Sequence, residues 1–242
     1  MKRTENDMNS NNMNLIPADP SAIIADEGVI AAKGNIDGFG TWTLYEDGSL
    51  LLDGNGEIPD CESAAAQPWY NLKNRILTAR LSGNVYGIGA YIFAGCTSLH
   101  EITLRSRIRG IERYTFAGCT SLQRITIPGF AAFIRQGAFE GCTSLREVEI
   151  PGMLFSIGDT AFSGCSSLCK IDLPDTVTDI GDAAFRGCRS LEEFIIPGSV
   201  STIGKDAFIS CDNLRKLTMP ARFRCADFEE KYGCPTDIVT FI

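Results

Sequence analysis

The feature that most constrains this chain is a register that never slips. Cys96, Cys119, Cys142, Cys165, Cys188 and Cys211 stand 23 residues apart. Phe93, Phe116, Phe139, Phe162, Phe185 and Phe208 lie three residues before them, and Leu99, Leu122, Leu145, Leu168, Leu191 and Leu214 three residues after. A unit this short cannot bury its few apolar positions alone, so successive units must stack and share one continuous core. The spacing therefore predicts a solenoid. Length adds little, because the core of a repeat array grows with every turn and 242 residues need not divide into compact domains.

One unit shows how the core is supplied. In Leu122-Gln123-Arg124-Ile125-Thr126-Ile127, strand alternation turns Ile125 and Ile127 inward and leaves Arg124 and Thr126 outside. Pro128 cannot continue a ladder and ends the strand. Ile134 brings the chain back inward, and residues 137–142 are long enough for about one helical or 3₁₀ turn that drives Phe139 into the core. Stacked units align their strands as one parallel sheet of about seven strands, at roughly 4.8 Å per step.

The flanks differ in character. Residues 1–33 are rich in Asn, Asp, Ser and Met and read as a disordered N-terminal segment. Residues 34–67 carry a β-hairpin signal, Thr41-Trp42-Thr43-Leu44-Tyr45 before the turn Glu46-Asp47-Gly48-Ser49 and then Leu50-Leu51-Leu52, and are expected to cap the first turn. The repeats occupy residues 68–220, opening with a degenerate unit in which Tyr70 is in phase with Phe93 and Ile76 with Leu99. Residues 221–242 form a C-terminal cap, with a short helix over 227–233 closed by Gly233 and a final strand over 238–242.

Composition excludes several functions. The net charge of −8 argues against nucleic acid, whose phosphates need a basic surface, and no apolar run approaches a membrane span. After Met1-Lys2-Arg3 the chain turns polar instead of entering a signal-peptide core, which on its own predicts either a cytoplasmic chain or a processed or truncated form. The catalytic search is nearly empty. His100 is the only histidine, Cys169 sits at a strand edge with nothing to depress its pKa, and the six regular cysteines fit small buried hydrophobes better than a metal or redox site. No enzyme activity, metal or cofactor is expected. Cys225 and Cys234 are the best disulfide candidates should the protein be exported.

Three surface features stand out. Glu101, Arg124, Glu147, Lys170, Glu193 and Lys216 form an outward row of alternating sign, suited to fixing register and keeping the sheet solvated. In the adjacent row Glu149 and Asp172 are like charges on neighbouring strands, and they mark either a partner's Lys or Arg, a weak Ca²⁺ site, or acids neutralised by Arg146 and Lys170. The third is where the repeat bends. Arg105 replaces the usual proline, and Arg107, Arg109, Phe130, Phe133, Met153 and Phe155 stand where other units carry small polar residues, either as a partner-binding surface or as drift folded onto the scaffold.

The unit Cys-x-x-Leu-x-x-Ile-x-Ile-Pro-x-x-Val-x-x-Ile-Gly-x-x-Ala-Phe resembles the BspA-like, treponemal-type class of leucine-rich repeat, and Leu168 to Phe208 fits nearly every position. Thr41-Trp42-Thr43-Leu44, Asp47-Gly48-Ser49-Leu50, Gly54-Asn55-Gly56 and Pro68-Trp69 are similar to the segment that often precedes these repeats in bacterial members. The resemblance implies an α/β, mostly β, right-handed repeat solenoid. It implies a non-catalytic protein-binding module, often an adhesin at the surface of host-associated bacteria, with no fixed binding motif. A carbohydrate-binding or cation-dependent module using Glu149 and Asp172, and an intracellular scaffold, are the alternatives.

Overall fold

A computed structural model describes residues 28–242. The cap is an antiparallel meander of β1 (Ile30–Ile36), β2 (Gly40–Tyr45) and β3 (Ser49–Gly54), followed by the short β4 (Gly56–Ile58). The β2–β3 turn is held by Asp47, whose carboxylate accepts both the Ser49 amide (2.8 Å) and hydroxyl (2.7 Å) and titrates below its usual range for that reason. Residues 30–33, placed by composition with the disordered segment, belong to β1. Their backbone is recruited by β2, a source of order that low apolar content does not advertise. Residues 1–27 of that segment lie outside the described residues. Trp42, Leu44, Leu50 and Leu52 are buried, and β3 runs parallel to the first repeat strand, so the cap extends the sheet as well as covering its end.

Each turn then contributes two strands. In chain order they are β5 (Thr78–Ser82) and β6 (Val85–Ile88), β7 (Glu101–Thr103) and β8 (Gly110–Ile111), β9 (Arg124–Thr126) and β10 (Phe133–Ile134), β11 (Glu147–Glu149) and β12 (Ser156–Ile157). They continue with β13 (Lys170–Ile171) and β14 (Asp179–Ile180), β15 (Glu193–Ile195) and β16 (Thr202–Ile203), and β17 (Lys216–Met219). The odd-numbered strands are the seven expected. They form three hydrogen-bonded ladders, β1-β2-β3-β5-β7, β9-β11-β13 and β15-β17-β18, the last closed by β18 (Val239–Phe241). The even-numbered strands from β8 to β16 form a second parallel sheet, β8-β10-β12-β14-β16, while β6 pairs with β4 of the cap; this second sheet is absent from the sequence reading because two residues per strand give no readable alternation.

The stretch between second and first strands is not the helical turn expected. Two positions in each unit have positive φ: Tyr91, Tyr114, Gly137, Thr160, Ala183 and Asp206 in one column, and Gly95, Gly118, Gly141, Gly164, Gly187 and Ser210 in the other. Left-handed residues interrupt a helix, and the freed amides bond sideways, as when Phe139 N donates to Ala161 O of the next turn at 2.8 Å.

Inside, the repeated positions become continuous columns. The Phe93, Phe116, Phe139, Phe162, Phe185 and Phe208 rings stack with centroids 5.3–5.8 Å apart and nearly parallel planes. Beside them each thiol from Cys119 to Cys211 donates to the carbonyl of the preceding unit's phenylalanine, at 3.1–3.3 Å. The first turn corrects the sequence reading. Trp69, not Tyr70, continues the ring column onto Phe93 at 5.8 Å, while Tyr70 is exposed. A 3₁₀ helix, Tyr70–Arg75, replaces the open turns here, and its tighter winding points the preceding residue inward. At the other end α1 (Phe228–Tyr232) buries Phe228 and Tyr232, one helical turn apart, and is closed by Gly233 at φ +76°.

Close stacking fixes a glycine at 158, 181 and 204. A Cβ on Gly181 would lie 2.5 Å from Asp159 N and 2.6 Å from Gly158 C, backbone atoms of the previous turn. Gly181→Ala is expected to cost about 1–3 kcal/mol in urea denaturation by forcing the turns apart. Gly198→Ala, with nothing within 4 Å of its Cβ, should stay within about 0.5 kcal/mol of the parent. Equal losses would show that inter-turn contact does not select the glycine.

Candidate protein-binding surface

The turn entering each even-numbered strand carries the lateral residues, and the 23-residue register arranges them in columns. Arg107, Phe130, Met153 and Thr176 share one column, and Tyr86, Arg109, Ala132, Phe155 and Thr178 share the next. Backbone bonds tie the second together: Arg109 N donates to Tyr86 O, Ala132 N to Arg109 O, Phe155 N to Ala132 O and Thr178 N to Phe155 O, at 2.8–3.2 Å. Ladder pairs Gly110–Phe133, Phe133–Ser156 and Ser156–Asp179 extend the alignment by one more column.

The structure divides the predicted set. Phe130, Met153 and Phe155 stand in solvent, 68%, 56% and 46% exposed, on two adjacent turns. Arg107 and Arg109 are exposed and held against the preceding turn, Arg107 by a 3.1 Å bond to Asn84 Oδ1 and Arg109 by stacking 5.2 Å from the Tyr86 ring centroid. Arg105 and Phe133 face the scaffold. Arg105 Nε donates to Leu81 O at 2.8 Å, and the half-buried Phe133 ring covers Gly110 while Arg135 stacks on it at 4.0 Å. Arg135 also pairs with Glu112 at 2.9 Å. Glu112 and Arg135 occupy the unit's glycine position, so the irregular turns brace each other through side chains. Tyr86 and Ala132 were missed by sequence reasoning, and the column that contains them was the signal.

The front sheet carries the charge row. Glu147 bridges Arg124 (3.6 Å) and Lys170 (2.6 Å), and Lys216 reaches Glu193 at 3.5 Å. The Lys170 ammonium beside Glu147 holds its carboxyl below the usual range. In the next row Thr126 donates to Glu149 at 2.9 Å, and Asp172 lies beyond the end of β13, so the two acids are not ladder partners. Ile195, 64% exposed in this row, is an apolar outlier that the sequence reading passed over. Where β7 and β9 lie side by side without a hydrogen-bonded ladder, a cleft of about 440 Å³ opens between Thr103, Ser106, Arg124, Thr126 and Glu149.

Among the described residues no group of three or more His, Cys, Asp or Glu side chains converges to hold a metal ion, and no helix is long and apolar enough to cross a membrane. Burial pushes the thiols of Cys96, Cys142 and Cys211 up to about 12, which removes the thiolate that nucleophilic or redox chemistry needs. All ten cysteines are free, Cys225 and Cys234 included.

Comparison with known proteins agrees with this architecture. The BspA type leucine rich repeat region is matched in six copies, over residues 69–154 and 132–231. No curated protein sequence matches the chain. Among solved structures, a leucine-rich repeat protein of T. pallidum is similar at 28% identity and a TM-score of 0.59, over 83% of this chain and 89% of that one. A leucine rich cell surface protein of Faecalibacterium prausnitzii is similar at 28% identity and a TM-score of 0.59, over 79% of this chain, which spans 55% of that protein's length.

Proposed function

The chain belongs to the BspA-type leucine-rich repeat family, and from that premise we propose that it is a non-catalytic protein-binding module at a bacterial surface. The observation that carries the reading is the exposure of Phe130, Met153 and Phe155 on adjacent turns of an otherwise polar flank. A cluster of aromatic and Met side chains with Arg at its margin has the composition of an interface centre, and leaving it in water is unfavourable unless a partner covers it. Arg107 and Arg109 are the cationic margin, while Arg105 and Phe133 hold the frame on which it sits. Glu149 and Asp172 form a weaker contact area on the front sheet. The surface location is supported by the likeness to the F. prausnitzii cell surface protein.

The test compares the parent with a Phe130→Ser, Met153→Ser, Phe155→Ser variant, each immobilised and exposed to solubilised extracellular-matrix protein and to source-cell lysate. Protein retained by the parent should fall at least tenfold on the variant, with a melting temperature within about 2 °C, because the three side chains are exposed. Equal retention would remove the patch from the binding surface, and a collapsed melting temperature would make it structural. Retention abolished by EDTA and competed by glycans would instead support the carbohydrate or cation reading.

A further inference from the structure

The lateral face is complementary to itself when the order of its turns is reversed, and from this we propose that it docks onto a second copy of the chain about a two-fold axis. The proposal rests on the reading of this face as a protein-binding surface and names its partner.

The pattern is set by two columns on four successive turns: Arg107, Phe130, Met153, Thr176, and beside them Arg109, Ala132, Phe155, Thr178. Asp175 precedes Thr176, Asp179 follows Thr178, and both carboxylates are exposed. A two-fold axis lying in this face, at right angles to the stack and passing between the turns of Phe130 and Met153, reverses the order of the turns and sets each column against its own copy. Phe130 then faces the partner's Met153, and Phe155 faces the partner's Ala132, whose small side chain leaves room for it. Arg107 comes opposite the partner's Thr176 with the partner's Asp175 beside it, and Arg109 opposite the partner's Thr178 with the partner's Asp179 beside it. Every contact occurs twice, as an isologous interface requires. Shifting the register by one turn sets Arg107 and Arg109 against the apolar residues and leaves both aspartates unpaired, so the charges select one register.

The wider charge distribution points the same way. Residues 100–136 hold six Arg against two Glu in a chain of net charge −8, whereas residues 147–182 hold seven acidic residues against Lys170. Antiparallel docking sets each half against its opposite. The mutual repulsion of the net charges is screened beyond about 8 Å at physiological ionic strength, so the contact pairs dominate. The groups are also pre-positioned. Arg107 is held by Asn84, Arg109 by the Tyr86 ring, and Asp179 by the Thr178 hydroxyl at 2.6 Å and by the Thr202 hydroxyl, which lowers the ordering cost of docking. Four turns at about 4.8 Å make a small patch, below the roughly 1,200 Å² of a standard interface, so the dimer is a weak one in the micromolar range.

Sedimentation equilibrium over the micromolar range tests this with the purified full chain. The parent should pass from monomer to dimer as concentration rises. Arg107→Glu with Arg109→Glu, and separately Asp175→Arg with Asp179→Arg, should each lose at least tenfold in self-association, and an equimolar mixture of the two variants should recover it, because their reversed charges meet across the axis. Asp175→Arg mixed with Arg107→Glu tests one pairing without touching the Thr178 and Thr202 bonds, should the double Asp variant fold poorly by circular dichroism. A parent that stays monomeric, or a mixture no more associated than its components, overturns the proposal. A monomeric parent that still loses protein capture on the triple serine substitution would overturn only the second-copy partner and leave the patch standing.

Discussion

Replacing Phe139 by alanine is expected to cost about 3–5 kcal/mol of unfolding free energy, measured by urea denaturation of the full chain. The ring is fully buried, with Phe116 on one face at 5.4 Å and Phe162 on the other at 5.3 Å. Truncation loses the transfer energy of the ring and two stacking contacts, and it leaves a cavity whose walls cannot close. Those walls belong to neighbouring turns whose spacing is fixed by ladder and turn hydrogen bonds on three sides, so little relaxation recovers the loss. In an array stabilised by nearest-neighbour contacts, the damage falls on two interfaces at the middle of the stack. The unfolding transition should therefore broaden or split as the halves uncouple, with a lower m-value for the first part. A loss under about 1 kcal/mol with an unchanged m-value would mean that the phenylalanine column does not carry the core.

The depth of that column was legible because one side chain in a fixed phase reports directly on burial. Cys, Leu and Phe at constant spacing define an inside, and the structure buries all of them. The second sheet was not legible. Its strands are two residues long, an inward Ile after a mostly polar neighbour, and their pairing depends on the turn length that the repeat imposes. The expected helical turn over residues 137–142 failed for a backbone reason. Gly137 and Gly141 take positive φ there, and in later units Thr160, Ala183 and Asp206 take the first of these positions without a glycine, because the stacked turn over-determines their conformation.

On the surface, sequence could locate the irregular turns but could not sort their residues. Arg105, Arg107 and Arg109 are equivalent on paper, yet Arg105 turns back to the Leu81 carbonyl while the other two remain exposed. Phe133 and Phe155 differ in the same way, because Phe133 has a glycine at 110 to lie on and Phe155 has Ala132 behind it in its column. Which aromatic folds down is decided by the residue 23 positions earlier. Register is therefore information about the surface as well as the core. Glu149 and Asp172 show the opposite limit: adjacent by phase, they are separated by the early end of β13, which the sequence does not mark.

Trp69 and Tyr70 turn this question of register into a measurement. Trp69 is buried between Trp42 of the cap, at 5.9 Å edge-on, and Phe93 of the first regular turn, at 5.8 Å, so it joins the cap to the array. Trp69→Ala is expected to cost about 3–5 kcal/mol, and in an Ising-like array the loss falls on the cap interface, so the cap should melt before the repeats. Trp42 fluorescence reports the cap and far-ultraviolet circular dichroism the whole sheet; the two should coincide in the parent and separate in the variant. Trp69→Phe should recover much of the loss. It keeps a ring against Phe93 and deletes an indole N–H that finds no acceptor among the described residues. Tyr70→Ala should stay within about 1 kcal/mol, since the ring is 41% exposed and its main contact is Lys73, whose ammonium lies 4.4 Å from the centroid. The reverse ranking, with Tyr70 costly and Trp69 cheap, would restore the phase read from sequence and overturn the 3₁₀ entry into the solenoid.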